Sequence, residues 1–478
     1  MLYYYYYKVV TKGGHFMDEK RKIEILTSEK TEFKREIGVF GGISIIGGIM
    51  VGSGIFYLGS YVLERVGMNF GLAILCWAIG GVITLMGGLC YAELGTLMPK
   101  AGGRLVYLNE AFHPLVGFLA GFTDWLIGGP GSVASVAIAL PTALRAFSNI
   151  NDTTIKITAI ALIIVLTIYS CYGVKKSSGL QSISMIAKLI PIVIIMLAAL
   201  FMGDIIPDMS FTADSGIAPS DKNVFSMIAF AVVATLWAYE GWTNLNTISE
   251  EIKNPKRNLP LALILGIGGV MFLYILFNFS IFRVLPHEEV VAMINKGDFY
   301  LGTAVARKIL GNTGAVIVVI GMVLAMFGTL NGLIMAQPRM YYAMAKEGHF
   351  FKQYEYLHPV HKVPTVAIVV QGILSVLLVL VRNLEQLTTL VVFTGMIFNV
   401  LSVLAVPICR KKFPNVERPY KVWAYPVSVY ITALIFCGLV INTLIEDPVN
   451  SIAGCAVPVL GIFFYMYFDK KIKSGKLQ

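Results

Sequence analysis

The chain has 478 residues, of which 56% are hydrophobic and only 14% charged, and its mean hydropathy is +0.74. Soluble proteins carry about 25% charged residues, so a soluble globular protein of this size is excluded and a bilayer protein is indicated. The net charge of +10 is topological: with the N-terminus cytoplasmic, most Lys and Arg fall in cytoplasmic loops and tails, and no nucleic-acid footprint is implied.

In chain order, residues 1–36 read as a basic cytoplasmic tail. Its Tyr3–Tyr7 run is too short to span and lacks a signal-peptide cleavage pattern, and Met17 is an alternative start. Apolar runs then recur over 37–65, 69–98, 112–147, 155–174, 179–204, 223–252, 257–286, 312–346, 364–382, 384–410, 420–446 and 448–468, separated by Pro, Gly and charge. The expected fold is an all-α membrane protein of about twelve transmembrane helices. An even number places both termini, including the 469–478 tail, in the cytoplasm.

The first and sixth spans each carry a break. Ile37 to Val62 is interrupted at Gly52, Ser53 and Gly54, and Val224 to Ile252 at Ala238, Tyr239, Glu240, Gly241 and Trp242. An unpaired backbone group in hydrocarbon costs several kcal/mol, so membrane helices break chiefly where the freed groups line a polar cavity. Because the broken spans lie five apart, two five-span units would face opposite ways. This predicts an inverted 5+5 repeat over 37–410, with two further helices over 411–468.

At Gly52-Ser53-Gly54 the second half-helix offers N–H groups and a positive dipole end to a carboxylate, and Ser53 can add a hydroxyl. Gly48 and Gly52 also suit plain helix packing. The carbonyls at the other break suit an ammonium group, so the pair describes a zwitterionic α-amino acid. Trp237 is placed to lid that pocket or to sit as a core aromatic. Glu240 is an ionisable group at membrane depth. It attracts a cationic side chain, binds a proton, ties the broken helix together or caps its second half. Lys188 lies inside the fifth span and needs partners there unless it snorkels to the interface. Carbonyls of the broken first helix are candidates. A fixed amine at that place does the work of a bound Na⁺ and makes transport sodium-independent.

Pro99 to Pro114 reads as a short cytoplasmic helix, a re-entrant gate or a plain connector. Charges over Glu250–Pro260 suit an inner gate with the first span or with Arg104, or a solvated helix end, and Arg339 approaches the same face. The six cysteines show no CxxC spacing and read as buried apolar residues, and His349, His358 and His361 read as loop residues. No metal or cofactor is expected. No phosphate loop, HExxH or GxSxG is present, so neither an enzyme nor an ATP-driven pump is expected.

Gly52-Ser53-Gly54-Ile55-Phe56 resembles the first-helix signature of the amino acid–polyamine–organocation superfamily. Leu236 to Trp242, followed by Glu250 to Pro255 and Asn258-Leu259-Pro260, is similar to the L-type amino-acid transporter family. Thr329-Leu330-Asn331-Gly332 with Arg339, Tyr342 and Glu347-Gly348 matches the end of that family's eighth helix, and Arg418 to Val422 the entry to its eleventh. The resemblance implies a twelve-span fold and sodium-independent exchange of amino acids at the cell membrane. It implies substrate contacts at Gly52, Ser53 and Gly54 and at Trp237, Ala238, Tyr239, Glu240 and Gly241. It further implies Trp237 as an aromatic gate, Lys188 in the sodium position and Tyr274 as its neighbour. The eukaryotic light chains of the family bond a heavy chain through a cysteine between spans 3 and 4. Residues 145–156 contain none, so no disulfide-linked partner is expected and a prokaryotic member is. The expected function is antiport of small neutral L-amino acids by alternating access. A proton-coupled symporter, and an amino-acid-binding sensor or channel, are the alternatives.

Overall fold

A computed structural model describes residues 19–52, 54–144, 150–211, 224–296, 299–381 and 384–474. These residues are almost wholly helical and contain no strand; a single parallel bridge joins Ile37 to Ile252. In chain order the helices are α1 (Glu19–Thr27), α2 (Val39–Met50), α3 (Gly54–Arg65), α4 (Phe70–Leu97), α5 (Arg104–Ala111), α6 (Pro114–Thr123) and α7 (Gly129–Ala143). Next come α8 (Asp152–Ser170), α9 (Val174–Met202), α10 (Val224–Ala238), α11 (Asn244–Thr247), α12 (Pro255–Phe282) and α13 (His287–Asn295). The last are α14 (Leu301–Ala336), α15 (Pro338–Lys346), α16 (Thr365–Val381), α17 (Leu384–Lys412), α18 (Val427–Glu446) and α19 (Pro448–Lys473).

The boundaries follow local chemistry. Asn69 caps α4 by accepting the Leu72 N–H at 2.7 Å, and Asn151 caps α8 by accepting the Thr154 N–H at 2.8 Å. Proline stands in the first turn of α6, α12, α15 and α19, where its missing N–H costs nothing. A single π-helical turn, Asp124–Gly128, joins α6 to α7 within the third span. Gly311, at φ 63°, kinks α14 and separates a short leading helix from the span that follows.

Among the described residues nine helices are long and apolar enough to cross a membrane, or ten when the bent pair α2–α3 is taken as one span. The expected count of about twelve is therefore not reached by length and composition. α10 and α16, with 15 and 17 residues, are apolar but short. Large apolar side chains on the outer helices, including Ile164, Phe201, Leu377, Leu434 and Phe463, stand exposed. In water such a surface is untenable, and in a bilayer it faces lipid. α4 packs on α10 and α12, α10 on α3, and α2 on α9, α12 and α14.

Candidate functional site

Both predicted breaks are present. α2 ends at Met50 and α3 starts at Gly54, with a 51° bend between their axes. α10 ends at Ala238; turns follow over 239–243 before the single-turn α11. Gly241 sits at φ 117°, a conformation few side chains adopt, and a Cβ there would run into Ile49. The second break thus needs glycine twice over, for its backbone and for its closeness to α2. A Cβ on Gly54 would lie 2.9 Å from Leu58 Cδ1 and 3.4 Å from the Ala238 backbone, so the two breaks lie side by side.

The last carbonyls of a helix have no partner inside it. Those of α2 are taken by side chains from three other helices. Lys188 of α9 donates to the Gly48 and Val51 oxygens at 2.7 and 2.5 Å. Thr329 of α14 donates to Gly48 and Ile49, each at 3.1 Å. The Tyr274 hydroxyl of α12 lies 2.7 Å from the Met50 oxygen and 3.0 Å from the Ala238 oxygen, and so stands between the two breaks. Lys188 is fully buried, which leaves no room for snorkelling: its ammonium is held by helix-end carbonyls instead.

A cavity of about 1010 Å³, its open mouth included, lies between the breaks. It is lined by Gly52, Gly54, Trp237, Ala238, Glu240 and Gly241, and across from them by Ser132, Ser135, Val391 and Gly395. The cavity therefore gathers six of the predicted residues. Ser53 lies outside the described residues. Tyr239 does not line the cavity: its ring is fully buried and its hydroxyl donates to the Trp77 oxygen at 3.0 Å. Lys188 and Tyr274 stand behind the breaks and hold them. Trp237 is half-buried at the cavity wall.

Two residues with no role assigned from sequence belong to this region. Thr329 completes the collar around α2. Asp124, at the start of the π-helical turn, lines the cavity and pairs with Arg104 of α5. Arg104 itself, expected to meet the charges after the sixth span, meets Asp124. An ionisable residue inside an apolar span is a signal that sequence carries, and it applied to Asp124 as much as to Lys188.

At the end of the bundle bearing residues 28–37 the walls are tied together. Arg339 meets Glu251 through Nε–Oε1 at 2.6 Å and Nη2–Oε2 at 3.2 Å, both side chains 1% exposed. Thr247 donates to the Ala336 oxygen at 3.1 Å. Arg35 donates to the Ile252 oxygen at 2.7 Å, and Glu32 reaches Lys346 at 3.2 Å. Glu251, in the stretch expected as an inner gate or a solvated helix end, thus pairs with Arg339 rather than Arg104 and is buried rather than solvated.

A bundle of apolar helices that opens a polar cavity between two interrupted spans is the architecture of a membrane transporter. The family model described as amino acid permease matches residues 37–468. The chain is 31% identical over 450 residues to the serine/threonine exchanger SteT of Bacillus subtilis, covering 94% of this chain and 100% of that protein. It is 30% identical to the human b(0,+)-type amino acid transporter 1, covering 94% and 91% of the two chains. To the mouse large neutral amino acids transporter small subunit 2 it is 29% identical, covering 92% and 82%. The chain belongs to the amino acid permease family. That family, like these relatives, is one of transporters and not of enzymes.

Proposed function

We propose that this protein is a sodium-independent amino-acid exchanger of the plasma membrane, carrying small neutral L-amino acids by alternating access. The reading rests above all on the cavity lying where both spans break, beside a collar in which Lys188 already holds the carbonyls of Gly48 and Val51. The first turn of α3 offers N–H groups to a substrate carboxylate, and the end of α10 offers carbonyls to its ammonium. Lys188 supplies as a fixed charge what a sodium ion would otherwise bring. Trp237 closes over the bound amino acid. Residues 37–410 form two inverted five-helix units around this site, residues 411–468 lie outside them, and both tails are cytoplasmic. The name of the SteT relative supports both the exchange and the small cargo. No disulfide-linked heavy chain is needed, since residues 145–156 hold no cysteine.

Counterflow tests the proposal. Proteoliposomes loaded with unlabelled serine or alanine should take up the labelled amino acid faster than empty ones, with or without Na⁺. Equal uptake into loaded and empty vesicles for all twenty amino acids would refute exchange. Gly54→Val should abolish uptake with normal membrane insertion; unchanged uptake would remove the carboxylate site.

A second reading, proton-coupled symport, is favoured by Glu240, which lines the cavity with no salt-bridge partner among the described residues. Uptake into empty vesicles driven by an acid exterior would support it over exchange.

A further inference from the structure

We infer that Arg104 is a specificity-determining residue, whose guanidinium in the cavity wall counterbalances the nearby carboxylates and so favours neutral over cationic amino acids. The inference rests on reading this cavity as the substrate site.

Among the described residues the cavity has three ionisable lining groups, Arg104, Asp124 and Glu240. Arg104 reaches it from α5, outside the membrane-spanning helices proper. Two glycines put it there. Gly103 sits at φ 50° and Gly102 at φ 98°, which turns the chain sharply into α5. A Cβ on Gly103 would lie 3.0 Å from the backbone of Asn246 and Thr247, so the turn presses on α11, and the Gly102 N–H donates to the Thr247 oxygen at 3.0 Å. The first residue of α5 is thereby fixed against the second half of the broken sixth span.

From that position Arg104 donates through Nη2 to the Asp124 carboxylate, with side-chain exposures of 9% and 17%. It also interacts electrostatically with Glu240. Its guanidinium lies 5.8 Å from the Phe398 ring centroid. Its Nε–H has no hydrogen-bond partner among the described residues. One cation therefore faces two carboxylates, and the lining carries one net negative charge when all three are ionised. Without Arg104 it would carry two, in a site where charges are screened far less than in water. A lysine or arginine side chain entering the cavity would then meet an uncompensated acidic wall. With Arg104 in place, that wall is already served.

The test is the ratio of labelled lysine to labelled serine taken up in counterflow, with thermal stabilisation of the purified protein by each amino acid as a binding readout. Arg104→Gln should raise the lysine-to-serine ratio about tenfold, equivalent to about 1.4 kcal/mol. Arg104→Lys, which keeps the charge, should leave the ratio near the wild-type value. The double variant Arg104→Gln/Asp124→Asn restores the wild-type net charge and should bring the ratio back. Glu240→Gln should lower it below wild type. A ratio that stays within about twofold across Arg104→Gln and Glu240→Gln overturns the inference. Should Arg104→Gln fail to fold, Glu240→Gln and the double variant still decide: the first must fall below wild type and the second must match it. Absence of counterflow in the wild-type protein overturns the exchange reading and this inference with it. Exchange with an indifferent ratio overturns this inference alone.

Discussion

On the side of the tails, α2 packs against both α9 and α14, and the end of the sixth span is joined to α15 by the Arg339–Glu251 pair. On the far side, α10 packs on α3 and α4, whereas α7 packs on α8, α14, α16 and α17. Among the described residues no packing of comparable extent joins α10 to α7 or to α17. Residues of both groups, Trp237 on one and Ser132, Val391 and Gly395 on the other, line the cavity between them. One end of the same seam is thus sealed by buried polar pairs, and the other is held apart by a cavity. The difference frames the proposed transport step as a transfer of closure, in which the far side would gain the packing that the tail side gives up.

The largest effect should come from the sealed end. Arg339→Ala leaves the Glu251 carboxylate buried without its bidentate partner, a loss of about 3–5 kcal/mol for a buried pair. If the pair serves closure, the variant should favour the form open toward the tails and lose counterflow. A cysteine at Thr247, unreactive in the wild-type background, should become labelled by an impermeant thiol reagent applied on the side of the tails. The same variant without Thr247→Cys controls for the six native cysteines. If Arg339→Ala lowers stability with no change in labelling, the pair serves only the fold.

A smaller effect is expected at the collar, which lies between the two ends. Lys188→Ala removes the donor to Gly48 and Val51, and hydrogen bonds from charged groups contribute about 1.5–3 kcal/mol each. Uptake should fall at least tenfold, in line with about 1.4 kcal/mol or more. Added Na⁺ should not restore it unless the vacated place admits the ion. Sodium-stimulated uptake in Lys188→Ala would show that the fixed amine stands in for a cation. Uptake equal to wild type would remove Lys188 from the working site.

Much of this arrangement was legible in the sequence because it is local. Glycines at 52, 54 and 241 and a lone lysine in an apolar span are visible without neighbours. The pairings were not. Arg339 meets Glu251 across 88 positions, and Thr329 meets Gly48 across 281. No periodicity reports such distances. Arg104 was read toward the charges after the sixth span, since both lie on the tail side; the turn at Gly102 and Gly103 carries it to Asp124 instead. The count of spans differs between the sequence and the helix lengths for a related reason. A helix that stops at a break, as α10 does, has too few residues to cross alone, and hydropathy counts the apolar residues on both sides of the break together.

The smallest effect separates two tyrosines to which the resemblance gave different roles, Tyr239 as a substrate contact and Tyr274 as a neighbour of Lys188. Tyr274 and Tyr239 are both fully buried, with ring centroids 5.1 Å apart. The Tyr274 hydroxyl bonds to both breaks, whereas among the described residues the Tyr239 hydroxyl bonds to the Trp77 oxygen alone, in the wall behind them. Removing either hydroxyl sacrifices ordinary hydrogen bonds, worth about 0.5–1.5 kcal/mol each, so both phenylalanine variants should unfold at slightly lower temperature. Only Tyr274→Phe should also slow exchange, because only it frees the carbonyls of Met50 and Ala238 beside the cavity. Tyr239→Phe should keep its KM for serine within about twofold, less than half a kcal/mol. A large rise in KM for Tyr239→Phe would bring that ring back into the site and would show that the cavity reshapes around α10 as the far side closes.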